Sequence, residues 1–345
     1  MTEPQGVHLV GSVPLASSEE VFRLAWSTLE HRLRRIPDGE TGERSDWIVW
    51  QFPVLSSAPQ LEVVPPDPEH YRPLPRVQLR QGATADEVRF TNLGYADAAL
   101  ASYQVLRRLR EEGAVPDSVR FQVCLPTPLA PIGAFVMGQD QAAIEPRYEQ
   151  AMHAELDQIL DRIPHHDLAV QWDTAVEFGI YEGLFPSWFG DARSGIVERL
   201  VRLAGWVPED VELGFHLCYG DAHHKHFKEP EDSSKLVDIA NALSEEVHRP
   251  LQWIHMPVPR SRIDDAYFAP LRDLRLRDDT WLYLGLVHNS DGVEGTRERI
   301  AAAQRSRDRF GVATECGMGR RPPETIPGLL RTHAEVSAPL ALSPR

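Results

Sequence analysis

The chain has 345 residues, 42% hydrophobic and 25% charged, which is the balance of a globular protein with a sizeable core. Its formal net charge of −15 argues against non-specific binding to nucleic acid or an anionic membrane, both of which require a basic face, so neither is expected as a partner. Three cysteines are too few, and odd in number, for a disulfide framework, which points to free thiols in a reducing, cytoplasmic setting.

Short apolar runs alternate with longer amphipathic ones along the chain. The N-terminal MTEPQGVHLVGSV lacks a basic, long-apolar leader pattern, and residues 7–11 within it read as a first strand. A helix over 17–34 starts with Ser-Ser-Glu-Glu, a capping residue followed by an acidic first turn. A short second strand is expected at 35–37. Residues 53–92 break the rhythm: the stretch is proline-rich, contains PPDPEHYRPLPR, and carries two alternating runs, 76–80 and 87–92, that fit a hairpin around Gly82. This reads as an insertion that covers part of the mouth of the fold or forms a solvated excursion. Strands follow at 119–125, 168–172, 211–218, 251–256, 281–287 and 312–316. Helices are expected at 95–112, 142–162, 196–204, 233–247, 295–309 and 325–336, with only a short stretch after Ser261 between strands six and seven. No apolar run approaches the roughly 18 residues of a membrane-spanning helix. Eight strands alternating with helices predict a single (β/α)8 barrel, a TIM barrel, over residues 1–345; a doubly wound open sheet is the alternative.

In such a barrel the site is built at the C-terminal ends of the strands. Those ends carry Gly11 and Ser12, then Asp38, Glu40 and Arg44, then Asp173, His216 and Cys218, His255, His288, and Cys316. His216 and Cys218 are two apart on one strand and so share a face. Imidazole and thiolate are preferred zinc donors, and Cys316 at the last strand end offers a second thiolate.

The motifs HLVGSVP, DGETGERSDW, VQWDTAVEF, HLCYGD and TECGMGRRP occur in this order across nearly the whole chain. The chain thereby resembles the cobalamin-independent methionine synthase superfamily, specifically its C-terminal catalytic barrel. The resemblance implies a zinc-dependent methyl or alkyl transferase acting on a small thiol or amino-acid-like substrate. It implies zinc ligands at His216, Cys218 and Cys316, with His255 at the strand-six position that holds a glutamate in the family. It implies an ammonium site at Glu40 and Asp173, a carboxylate site near Gly11 and Ser12 with Arg44 close by, and His288 as a general acid. The stretch after strand three, Leu125-Pro126-Thr127-Pro128, departs from the family's folate-binding Gly-Pro-Val-Thr.

The same residues also fit plainer roles. His216 and Cys218 fit a buried core pair, Glu40 a salt bridge to Arg44 or Arg35, Asp173 a turn cap, and His288 a hydrogen-bonded core histidine. On the same barrel, zinc with His255 also fits a Lewis-acid lyase or hydrolase. The run Asp221 to His226 reads as a polar loop or a second metal site, Arg320 and Arg321 as an anion grip or a surface pair, and Trp47, Trp50 and Trp172 as a pocket wall or core.

Overall fold

In the computed structural model, which describes residues 3–68, 73–222 and 225–340, seven parallel strands form one curled sheet. They are β1 (Arg35–Pro37), β4 (Arg120–Pro126), β5 (Leu168–Thr174), β6 (Glu212–Leu217), β7 (Trp253–Pro257), β8 (Trp281–Val287) and β9 (Gly311–Thr314), hydrogen-bonded in that order. Two further strands, β2 (Leu61–Val64) and β3 (Arg76–Leu79), pair antiparallel as a separate hairpin.

The sheet strands are rich in Val, Leu, Ile and Trp and are buried along most of their length. That is how parallel strands covered by helices behave. The helices supply the cover through apolar stripes. In the helix Ser18–Leu29, Val21, Phe22, Ala25 and Leu29 are buried, and the Ser17 side chain accepts from the Glu20 amide at 3.3 Å. Equivalent layers come from Tyr95–Glu111, Gly138–Arg162, Ala192–Gly205, Ser234–Glu246, Gly292–Gln304 and Ile326–Glu335. One continuous apolar core runs from Val7 to Val336.

Two expectations are corrected. The segment 7–11 is not a continuous strand. Val7 makes single parallel bridges to Leu33 and to Val312, and so stands between the two ends of the sheet. Past it, the Leu9 carbonyl accepts from Gln122 and the Val10 carbonyl from Gln171 and Cys124. Side chains from inside the sheet take up carbonyls that a regular ladder would have used. The seven strands and this bridge are compatible with a TIM-like barrel. The second correction concerns the hairpin. The strand from Arg76 pairs backward with Leu61–Val64, whereas Ala85–Glu87 is a 3-10 turn held by a Thr84–Glu87 capping box. Glu69 to Arg72, within the proline-rich stretch, lie outside the described residues, as do His223 and His224 of the polar loop. Among the described residues no helix is long and apolar enough to cross a membrane.

Candidate metal centre

Strand register sets the site. Asp173, His216 and His255 are Cα partners across β5, β6 and β7, so their side chains stand in one row. Cys218 follows the end of β6, and Cys316 lies two residues past β9. The curl of the sheet brings the two thiols to 3.7 Å. One donor atom from each of His216, Cys218 and Cys316 lies within 4.8 Å of the others.

The tautomer of His216 follows from its neighbours. His255 Nε2 faces the Thr314 carbonyl at 3.0 Å, an acceptor, so Nε2 carries the proton. His255 Nδ1 is therefore a lone pair, and it faces His216 Nδ1 at 2.6 Å. His216 must donate from Nδ1, which leaves Nε2 bare. That Nε2 is buried and has no hydrogen-bond partner among the described residues. An orphaned buried lone pair beside two thiols is what a soft divalent cation would satisfy. Burial, and then the proximity of His255, push the His216 pKa well down, which keeps the ring neutral as metal ligation requires. The structure does not bring His255 itself into the donor group, because both its ring nitrogens are engaged.

A cavity of about 40 Å³ opens over these donors. Glu40, Asp173, Gly11, Ser12 and Arg320 line it together with His216, Cys218 and Cys316. Glu40 and Asp173 form one wall. Desolvation is the main cause that pushes Glu40 up to about 8, with the Asp38 carboxylate adding to the rise and Arg44 opposing it. Asp173 is likewise raised well above the usual carboxylate range by burial and then by Glu40, against a hydrogen bond from Gln171 at 2.8 Å. Two neighbouring carboxylates in a poorly hydrated cavity favour a cation between them. Gly11 makes room for this: a Cβ there would sit 2.8 Å from Glu40 Oε1. Glu40 adopts φ +46°, and Trp47, also in the lining, φ +50°. Such backbone is rare for side chains of this size and clusters at functional sites.

The opposite wall is tied to the last strand. Ser12 Oγ accepts from the Gly319 amide at 3.2 Å, and the Met318 amide donates to the Ser12 carbonyl at 2.7 Å. Gly317 packs so closely on Ser12 that a Cβ would lie 2.3 Å from its hydroxyl oxygen. This latch fixes the turn that carries Cys316. Arg320 lies 3.2 Å from Asp46 and 3.7 Å from Asp221, and leaves the cavity with one cationic side.

Two expected site residues sit elsewhere. Arg44 is paired with Asp38, at 2.7 Å, behind Glu40. His288 is buried with Nε2 on the Val258 carbonyl at 2.9 Å and Nδ1 on Glu315 at 2.7 Å, and it does not line the cavity. Trp172 is core, edge-on to Trp206, and Trp50 packs on Tyr95. Sequence reasoning missed Gln171. It orients Asp173 while its Oε1 accepts from Trp253 at 3.1 Å and faces His8 at 2.7 Å. The only signal for it was alternation: two residues before Asp173, it must face the same side.

No protein-family model matches the chain, and no curated protein matches it in sequence. Solved structures do match in fold. The provisionally named vitamin-B12 independent methionine synthase of Listeria monocytogenes superposes with a TM-score of 0.56 at 14% identity, over 97% of this chain and 98% of that one. The B12-independent methionine synthase from Shewanella sp. W3-18-1, in complex with selenomethionine, gives 0.64 at 12% identity, over 96% of each chain. What is shared is the fold. The chain has a methionine synthase-like fold, matched along nearly its whole length.

Proposed function

We propose that this protein is a zinc-dependent transferase that moves a methyl or other alkyl group to the thiol of a small amino acid. The observation that carries the reading is the bare, buried His216 Nε2 beside two thiols at the floor of a cavity with paired carboxylates. His216, Cys218 and Cys316 would hold the metal. Three protein donors are the count of a catalytic zinc site, since structural sites usually use four. When bound, zinc would lower the pKa of a coordinated thiol so that thiolate exists near neutral pH.

The chain's own residues do the rest by binding and orientation. Glu40 and Asp173 take the substrate's ammonium, which favours their ionised forms and offsets the desolvation that otherwise protonates them. Arg320 takes the carboxylate, the chemistry for which a guanidinium is suited. The Ser12 latch holds Cys316 in place. His255 acts through His216 by fixing its tautomer, as an outer partner of a ligating imidazole does. His288 is a positioning residue in this reading, because it anchors Glu315, the neighbour of Cys316. Leu74 and Arg76, from the segment 53–92, line a cleft that adjoins this cavity.

The test is metal content and zinc-edge absorption of the purified chain beside Cys316→Ser. About one zinc with two sulfurs, lost in the variant and gaining a third sulfur with homocysteine, is expected. Zinc that ignores homocysteine and other small thiols would transfer the reading to Lewis-acid lyase or hydrolase chemistry. Absence of zinc binding would remove both.

A further inference from the structure

The metal cavity is not the only space at this end of the sheet. A larger cleft of about 170 Å³ adjoins it, and Trp47, Ala175, Gly220, Asp221 and Arg320 line both. Its remaining walls are mostly apolar, notably Leu74, Val176, Phe185, Trp188 and Phe227, with Arg76 and Gln141 as the polar exceptions. Phe185 and Phe227 meet with ring centroids 5.5 Å apart.

Apart from Arg76, the polar side chains of the cleft have their hydrogen-bonding capacity largely taken. Gln141 directs its amide nitrogen at the carbonyls of Ile132, Gly133 and Val136. Trp188 donates its ring N–H to Glu145 at 2.6 Å, away from the cleft. Asp221 faces Arg320. A ligand rich in donors and acceptors would lose its water here without replacement, at a cost of order 1–3 kcal/mol per group. A flat apolar ligand would lose nothing and gain aromatic contact.

We propose that this cleft is the subsite for the second substrate, the alkyl donor, and that the donor is an uncharged aryl alkyl ether rather than a polar pterin. This rests on the alkyl-transfer reading above. Trp47, held at φ +50° on the boundary, separates the aryl group from the thiol site. In the transfer, the thiolate sulfur forms a bond to the alkyl carbon as the carbon–oxygen bond breaks. The bonding pair leaves on oxygen, which takes a proton equivalent to the one the thiol lost. Thiol and ether become thioether and phenol, with no further reactant.

Binding tests this without turnover. Titration calorimetry of the full chain with 2-methoxynaphthalene should give saturable binding at least about tenfold tighter than with 5-methyltetrahydrofolate. Ala134→Phe, which fills the cleft away from the metal donors, should weaken ether binding by about tenfold or more. Should that variant fail to fold, Phe227→Ala replaces it, and a loss of affinity is again expected. Tighter binding of the folate, no saturable ether binding, or ether affinity unchanged in a folded variant would overturn the proposal. Zinc content of the same samples separates the two readings. Zinc without ether binding sinks only the cleft, and ether binding without zinc sinks only the metal-dependent transfer.

Discussion

At the N-terminal edge of the sheet, Arg35, Arg120 and Glu212, the first residues of β1, β4 and β6, form a closed charge cluster. Glu212 receives Arg35 at 2.5 Å on one carboxylate oxygen and Arg120 at 3.2 Å on the other, and the Arg35 guanidinium lies 4.1 Å from the centre of the Trp253 ring. At the C-terminal edge the arrangement is the reverse. Glu40 and Asp173 stand side by side in a cavity with their ionisation opposed by burial and by each other, His216 leaves a lone pair unsatisfied, and two thiols sit in contact. Paired charges hold a fold together; unsatisfied ones wait for a ligand. The same strands therefore end in stability at one edge and in chemistry at the other, as this architecture commonly divides them. Substitutions at the two edges should separate the two properties.

The largest effect on stability is expected at the closed edge. Glu212→Ala would leave the Arg35 side chain, only 3% exposed, as an uncompensated buried charge. A loss of about 3 kcal/mol or more in urea unfolding is expected, since breaking a buried pair costs that much. Zinc stoichiometry of the folded variant should not change. A variant as stable as the wild type would show that the cluster is solvated, and the contrast between the edges would fail.

A middle-sized effect is expected where the metal site meets its support. His255→Leu removes the acceptor that fixes His216 Nδ1 as the donor. Zinc affinity, measured by chelator competition, should fall by about 10–100-fold while one equivalent still binds. If the absorption spectrum instead loses one nitrogen neighbour of zinc, His255 is a ligand and the hydrogen-bond argument is wrong.

The legible and illegible parts of the site divide along the same line. The strand Trp281–Val287 could be read from its apolar run, because a strand buried on both faces writes itself in consecutive residues, whereas Arg35–Pro37 carries one aliphatic residue and left only a weak trace. The His216 and Cys218 spacing was readable because side-chain alternation is local. Local pattern does not show where a ring nitrogen finds its partner. The roles of His255 and His288 depend on the Thr314 and Val258 carbonyls, which belong to other strand ends, and backbone acceptors leave no trace in sequence. The segment 7–11 was misjudged for a related reason: its carbonyls bond to Gln122 and Gln171, side chains more than 100 residues away. Pairing of β3 with β2 rather than with residues after Gly82 is equally non-local.

The smallest effect is also the most direct probe of the open edge. Glu40 is raised from 4.5 to about 8, chiefly by desolvation, so the folded state holds a proton that the unfolded state releases between those values. The unfolded state then binds fewer protons than the folded one, and stability falls as pH rises through this window, by at most about 1.4 kcal/mol per pH unit for one group. Below about pH 4.5 both states are protonated and the term vanishes. Glu40→Gln should flatten the decline between pH 5 and 8 and leave the variant more stable than wild type at pH 8. It should also ease the ionisation of Asp173, since Glu40 is the second cause of that group's shift. The ammonium of an amino acid would act in the opposite sense to the empty cavity. By stabilising both carboxylates it should expel a proton on binding near pH 7, visible as a heat that scales with the ionisation enthalpy of the buffer. That proton should be missing in Glu40→Gln. A wild type whose stability is flat across the window, or whose binding heat ignores the buffer, would mean that the two carboxylates are already ionised and hydrated. The open edge would then be a surface like any other.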